Sequence, residues 1–159
     1  MSEIEFCKAF NEAQSVLEEY DKNRQRALEL MKKILIMLRD AKYKTKEYKL
    51  AKLYYECSDR EFTSYYLEYV DSKLAVVKYY RTIFDEDYTK TVYYNAVEYT
   101  LTLLNDEYHD NVECAIERIV REICENLKKI SSEFRERNAK LVKLIEALEK
   151  ALKEAETEK

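Results

Sequence analysis

Histidine, cysteine, the carboxylates and lysine are the side chains of this sequence that could do chemistry, and their spacing limits each of them. His109 is the only histidine, so a metal centre built on two or more imidazoles is excluded, the paired Glu-x-x-His motif of di-iron helical bundles included. Cys7, Cys57, Cys114 and Cys124 contain no C-x-x-C pair. They read as buried reduced thiols, and Cys57, Cys114 and His109 together follow no zinc-ligand spacing. Asp85, Glu86 and Asp87 stand at one end of an expected helix, and Asp106, Glu107 and Asp110 at the other. About 18 helical residues hold the two groups ~25 Å apart, too far to share a cation or to act as an acid/base pair. Without glycine, Walker loops, dinucleotide fingerprints and nucleophile elbows fail together. The expectation is a protein that is not an enzyme, with no catalytic residue, metal or cofactor.

Two patterns speak for binding instead. The first is Lys42 to Tyr55, where Lys42, Lys44, Lys46, Lys49 and Lys52 stand against the single acid Glu47, with tyrosines interleaved. On a helix Lys42, Lys46 and Lys49 share a face suited to a phosphate backbone, and Tyr43 or Tyr48 could stack on bases. The patch contains no arginine, which argues against base-specific readout. The competing reading is a solvated face where two helices meet. The second pattern is tyrosine, present fifteen times. Tyr54, Tyr55, Tyr65, Tyr66, Tyr79, Tyr80, Tyr93 and Tyr94 form adjacent pairs, about 100° apart on a helix. One of each pair would then lean off the apolar stripe and offer a half-exposed aromatic surface, a composition enriched at protein interfaces.

The elements that must position these groups follow from what is missing. Glycine and proline are both absent from 159 residues, where average usage would supply roughly eleven and eight. Glycine opens the φ > 0 region for tight turns and proline fixes loop corners, so the expectation is helix after helix. With 38% charged and 47% hydrophobic residues, amphipathic helices fit and disorder does not. The net charge of −4 selects no partner.

Phe6, Phe10, Ala13, Leu17, Tyr20, Arg24, Ala27, Met31, Ile34, Leu38 and Ala41 alternate four and three apart, a coiled-coil-like seam interrupted once, at Arg24. Ile116, Val120, Ile123, Leu127, Ile130, Phe134, Arg137, Leu141, Leu144, Leu148 and Ala151 repeat the pattern, broken only at Arg137. Between them Ser58-Asp59-Arg60-Glu61 has the form of a capping box, and Asp85-Glu86-Asp87 that of a helix start.

The resulting expectation is a single all-α domain over 1–159: an antiparallel four-helix bundle with two long outer helices extending as a coiled-coil stalk. Its parts are an outer helix over 3–43 with an extension over 46–57, inner helices over 59–84 and 87–104, and an outer helix over 111–155. Arg24 and Arg137 would set the register of the stalk. The first ten residues carry Glu3, Glu5 and Lys8 and do not read as a secretory signal. The longest apolar run, Ile34 to Leu38, is far below the ~20 residues of a membrane span, so a cytoplasmic protein with no membrane partner is expected. Its function reads as that of a structural or interaction protein that self-associates, as a homo-oligomer, or docks into a larger assembly. The alternative is a sequence-nonspecific nucleic-acid-binding module, such as a packaging or ribonucleoprotein subunit, acting through Lys42–Tyr55.

Overall fold

The computed structural model describes residues 2–158, and it overturns the all-α helical bundle. The chain runs α1 (Glu3–Asp40), β1 (Tyr48–Cys57), β2 (Glu61–Val70), β3 (Lys73–Thr82), β4 (Thr89–Tyr93), α2 (Ala96–Glu107) and α3 (Val112–Thr157). The strands form one antiparallel meander in the order β1-β2-β3-β4. The segments expected as an extension over 46–57 and as an inner helix over 59–84 are strands and their turns, and only the end of the 87–104 segment is helical. The architecture is α+β.

Composition explains the strands once period is set aside. Residues 48–93 concentrate Tyr, Val, Thr and Phe, the aromatic and β-branched types that fit a pleated surface. The turn between β2 and β3 is made without glycine. Asp71 (φ 51°) and Ser72 (φ 61°) both occupy the left-handed region, the requirement of a two-residue hairpin loop whose twist matches its strands. The presumed capping box is also a hairpin end: the Ser58 N–H donates to the Glu61 carbonyl across the β1–β2 turn at 3.0 Å. Asp85 closes the end of β3, accepting from the Thr82 N–H and hydroxyl at 3.3 and 2.9 Å.

Cross-strand pairs define two faces. Tyr69 donates its hydroxyl to the Leu38 carbonyl at 2.9 Å, and Tyr65 contacts Tyr99 of α2, so this side of β2 looks toward α1 and α2. Its neighbours in register are Leu74 and Val76 of β3 with Tyr48, Ala51 and Tyr54 of β1. Buried against them are Met31, Leu35 and Leu38 of α1 and Ala96, Val97 and Leu104 of α2. The other face, turned away from α1 and α2, carries Lys49, Lys52 and Tyr55, then Tyr66 and Glu68, then Val77, Tyr79 and Arg81.

The chain divides into two compact units between Glu122 and Ile123. The first contains α1, the sheet, α2 and the opening turns of α3. In it α1 begins with a reciprocal cap: Ser2 Oγ accepts from the Glu5 N–H while Glu5 accepts from the Ser2 N–H. The second unit is the remainder of α3. Among the described residues no helix is long and apolar enough to cross a membrane.

Ser72→Gly should raise stability by about 1 kcal/mol, because the left-handed backbone disfavours a Cβ. Urea unfolding with an unchanged m-value checks this; an unchanged or lowered midpoint would mean that the turn is not held left-handed.

Candidate interaction surfaces

The basic and aromatic residues of 42–55 are not one helical stripe. Lys42, Tyr43, Lys44 and Lys46 lie in the connection between α1 and β1, whereas Tyr48, Lys49 and Lys52 belong to β1. Tyr48 opposes Tyr69 on the helix-facing side. Lys49 and Lys52 point to the other face, where aromatic rings occupy them. The Lys49 ammonium lies 4.5 Å from the centroids of both Tyr66 and Tyr79, and Lys52 lies 4.4 Å from that of Tyr55. Each contact is worth roughly 0.5–1 kcal/mol when exposed and more when desolvated. Arg81 extends the pattern, packing on Phe62 and Tyr88 at 4.7 and 5.1 Å. Lys42 approaches the ring of its neighbour Tyr43, which is 84% exposed.

Two bulges in β1 produce this arrangement. The register shifts between Lys49 and Ala51 and again between Lys52 and Tyr54. At each shift two residues of β1 oppose one of β2, so Leu50 and Leu53 enter as extra residues, and both are fully buried. Lysine therefore recurs on one face at a spacing of three rather than two.

The paired tyrosines are not helical neighbours either. In a strand, successive side chains point to opposite faces, so each pair inside the sheet is split. Tyr54, Tyr65, Tyr80 and Tyr93 face the helix side or its margin, while Tyr55, Tyr66 and Tyr79 face away. Tyr94 follows β4 and is half-exposed, with Lys73 near its ring. On the helix side Tyr93 stacks on Tyr99 at 4.6 Å, Tyr99 meets Tyr65, Tyr65 meets Tyr54, and Tyr54 meets Tyr108 edge-on at 5.9 Å. This chain of rings ties β4, β2 and β1 to α2 and to the residue that caps its C-terminus. At the β1 edge, the Tyr108 hydroxyl donates to the Leu53 carbonyl at 2.8 Å and Arg118 donates to the Lys52 carbonyl at 2.6 Å. Both satisfy strand carbonyls that a free edge leaves unpaired.

On the other face the least exposed charged group is Glu68, 6% exposed. It accepts the Tyr79 hydroxyl at 2.5 Å and stands opposite Lys49 in register. Burial and the Glu68 carboxylate raise the Tyr79 phenol well above its ordinary value. Tyr99 is raised likewise by burial and by its tyrosine neighbours.

The helical seams are the second kind of surface. Every residue over 2–23 of α1 and over 131–158 of α3 is exposed. Phe6, Phe10 and Leu17 on the first, and Phe134, Leu141, Leu144 and Leu148 on the second, therefore face water, while Tyr20 donates its hydroxyl to Glu113 at 2.9 Å. Arg24 donates to Asn105 of α2 at 2.9 Å and lies 3.3 Å from His109 Nδ1, just beyond that helix. Arg137 packs on the Phe134 ring at 4.6 Å.

Among the described residues no group of His, Cys, Asp or Glu is arranged to hold a metal ion. Cys7, Cys57, Cys114 and Cys124 are exposed rather than buried, and free. No protein-family model, curated protein or solved structure matches this chain.

The raised Tyr79 and Tyr99 phenols set a pH dependence. Their protonated forms are favoured in the folded state, so that stabilisation is complete below the ordinary tyrosine range near pH 10. It should be lost as pH rises beyond, and Tyr79→Phe should weaken the fold by about 1–3 kcal/mol at neutral pH by leaving Glu68 without its donor. Urea unfolding from pH 7 to 11 checks both: a flat profile and a neutral substitution would contradict the buried Tyr79–Glu68 pair.

Proposed function

We propose that this chain is a non-enzymatic structural or interaction protein. It self-associates through its coiled-coil surfaces or docks by them into a larger assembly, with the aromatic face of the sheet as an accessory contact. The observation that carries this reading is the apolar seam of α3. Leu141, Leu144 and Leu148 are 54%, 52% and 54% exposed at heptad spacing, on a helix whose residues 131–158 are all exposed. A contiguous apolar stripe of this kind marks an interaction surface, and an isolated helix draws little stability from propensity alone. Tyr55, Tyr66, Tyr79 and Tyr94 remain candidates for the accessory contact. Tyr54, Tyr65, Tyr80 and Tyr93 serve the interior or its margin.

Sedimentation velocity at concentrations up to about 100 µM should show a dimer or larger species. Leu141→Asp with Leu148→Asp should return it to a monomer with the tyrosine near-UV spectrum of the sheet intact. A monomeric wild type, or a double variant that assembles as before, would overturn the reading.

A second reading, the nucleic-acid-binding module, is favoured by Tyr43, which is 84% exposed beside Lys42, Lys44 and Lys46. It is restricted to that connection, because Lys49 and Lys52 are already stacked on rings. Fluorescence anisotropy with single- and double-stranded DNA and RNA should then show salt-sensitive binding that a Lys42/Lys44/Lys46→Glu variant loses. Unchanged binding in that variant, or none at low salt, would discard it.

A further inference from the structure

We infer that α3 pairs antiparallel with α3 of a second copy, about a centre where Phe134 of each molecule meets Arg137 of the other. This rests on the self-association proposed above and adds the occupant, the direction and the register.

The seam assigns heptad positions. Leu127, Phe134 and Leu141 occupy the a positions and Ile130, Arg137 and Leu144 the d positions. Arg137 is the one charged residue among them. Its guanidinium lies over the Phe134 ring at 4.6 Å and makes no ion pair among the described residues. Phe134, Arg137, Asn138 and Leu141, with Ser131 and Arg135 beside them, line a concavity of about 470 Å³ on the helix surface. Residues at i, i+3, i+4 and i+7 are the frame of a hole that receives one knob from a facing helix.

Charge selects the direction. In a parallel pair Arg137 would face Arg137 in a single layer, placing like charges together in a desolvated seam. The flanking positions would offer no compensation, because Glu133 would meet Asn138 and Lys140 would meet Ile145 across the interface. In an antiparallel pair centred between Phe134 and Arg137, each a residue faces a d residue. The layers become Leu127 with Leu144, Ile130 with Leu141, and Phe134 with Arg137, each occurring twice by symmetry. They span ~27 Å of helix. The Phe134 knob enters the hole described above, and each guanidinium lies between two rings. Flanking positions now meet their own kind: Glu133 faces Lys140 of the other copy, and Ser131 faces Asn138. Lys140 is free to do so, since its intrachain contact with Glu136 is long at 3.9 Å and fully solvated.

The stripe of α1 is a poorer occupant. In an antiparallel pair the flank that would face Glu133 and Lys140 is Ala9, Val16 and Asn23, which carries no charge, and the one acid among Cys7, Gln14 and Asp21 lies on the opposite flank.

Charge reversal tests the pairing on the full chain. Glu133→Lys and Lys140→Glu, each alone, should weaken dimerisation about tenfold or more in sedimentation equilibrium, because both symmetric pairs become repulsive. The double variant Glu133→Lys/Lys140→Glu should restore it. Leu148→Cys, with the four native cysteines changed to serine, should form no interchain disulfide, since antiparallel pairing separates the two positions by ~35 Å or more. A dimer that the double variant fails to restore, or that cross-links through Leu148→Cys, would overturn this pairing and leave self-association standing. A monomeric wild type would overturn both. Unchanged helicity by circular dichroism separates loss of pairing from loss of folding.

Discussion

A length mismatch governs this protein: its helices carry apolar seams longer than its small sheet can cover. The three ten-residue strands extend ~33 Å along their length, and the whole four-stranded sheet only ~15 Å across. The 38 residues of α1 run ~57 Å and the 46 of α3 ~69 Å. Burial follows that arithmetic. In α1 the buried side chains are Met31, Leu35 and Leu38, at its C-terminal end, and over 131–158 of α3 there are none. The same seam that is buried at Ile123 faces water at Leu141. Exposed apolar area at roughly 25 cal/mol per Å² is a continuing drive toward association, which is why the functional account rests on the helices more than on the sheet.

Within the first unit, polar groups on aromatic rings do the joining. Tyrosine lets a thin layer combine a large apolar face with a hydroxyl that can reach a partner. Tyr69 reaches a carbonyl near the end of α1, Tyr108 an edge carbonyl of β1, and Tyr79 a buried carboxylate. Lys49, opposite Glu68 in register, holds its ammonium over the Tyr66 and Tyr79 rings. The lysine-rich segment is consequently two things, a solvated connection and a structural strip of β1.

What could be read from the sequence divides along the same line. The four-three seams over 6–41 and 116–151 lie largely on α1 and α3, because an uninterrupted amphipathic stripe of that length has one regular solution. The middle of the chain misleads for two physical reasons. The bulges at Leu50 and Leu53 stretch the two-residue alternation of β1 to three, so Lys49, Lys52 and Tyr55 imitate one side of a helix. The missing glycine argues against tight hairpins, yet Asp71 and Ser72 take the left-handed conformation themselves, Asp being among the residues that tolerate it. Aromatic and β-branched enrichment from Tyr48 to Tyr93 was the legible signal for strands. Adjacent tyrosines then follow the pleat to opposite faces, so the single aromatic surface they suggested divides into an interior ladder and a second face. Arg137 was visible as a break in the seam, but its place over Phe134 required the structure.

The central claim is that the α3 seam is covered by a second copy. Hydrogen–deuterium exchange, followed by mass spectrometry across a dilution series, measures this most directly. Amides over 127–144 should exchange slowly at high concentration and lose that protection on dilution, while the amides of β2 and β3 stay protected throughout. Fast exchange over 127–144 at every concentration, or protection there that dilution leaves untouched, would contradict it.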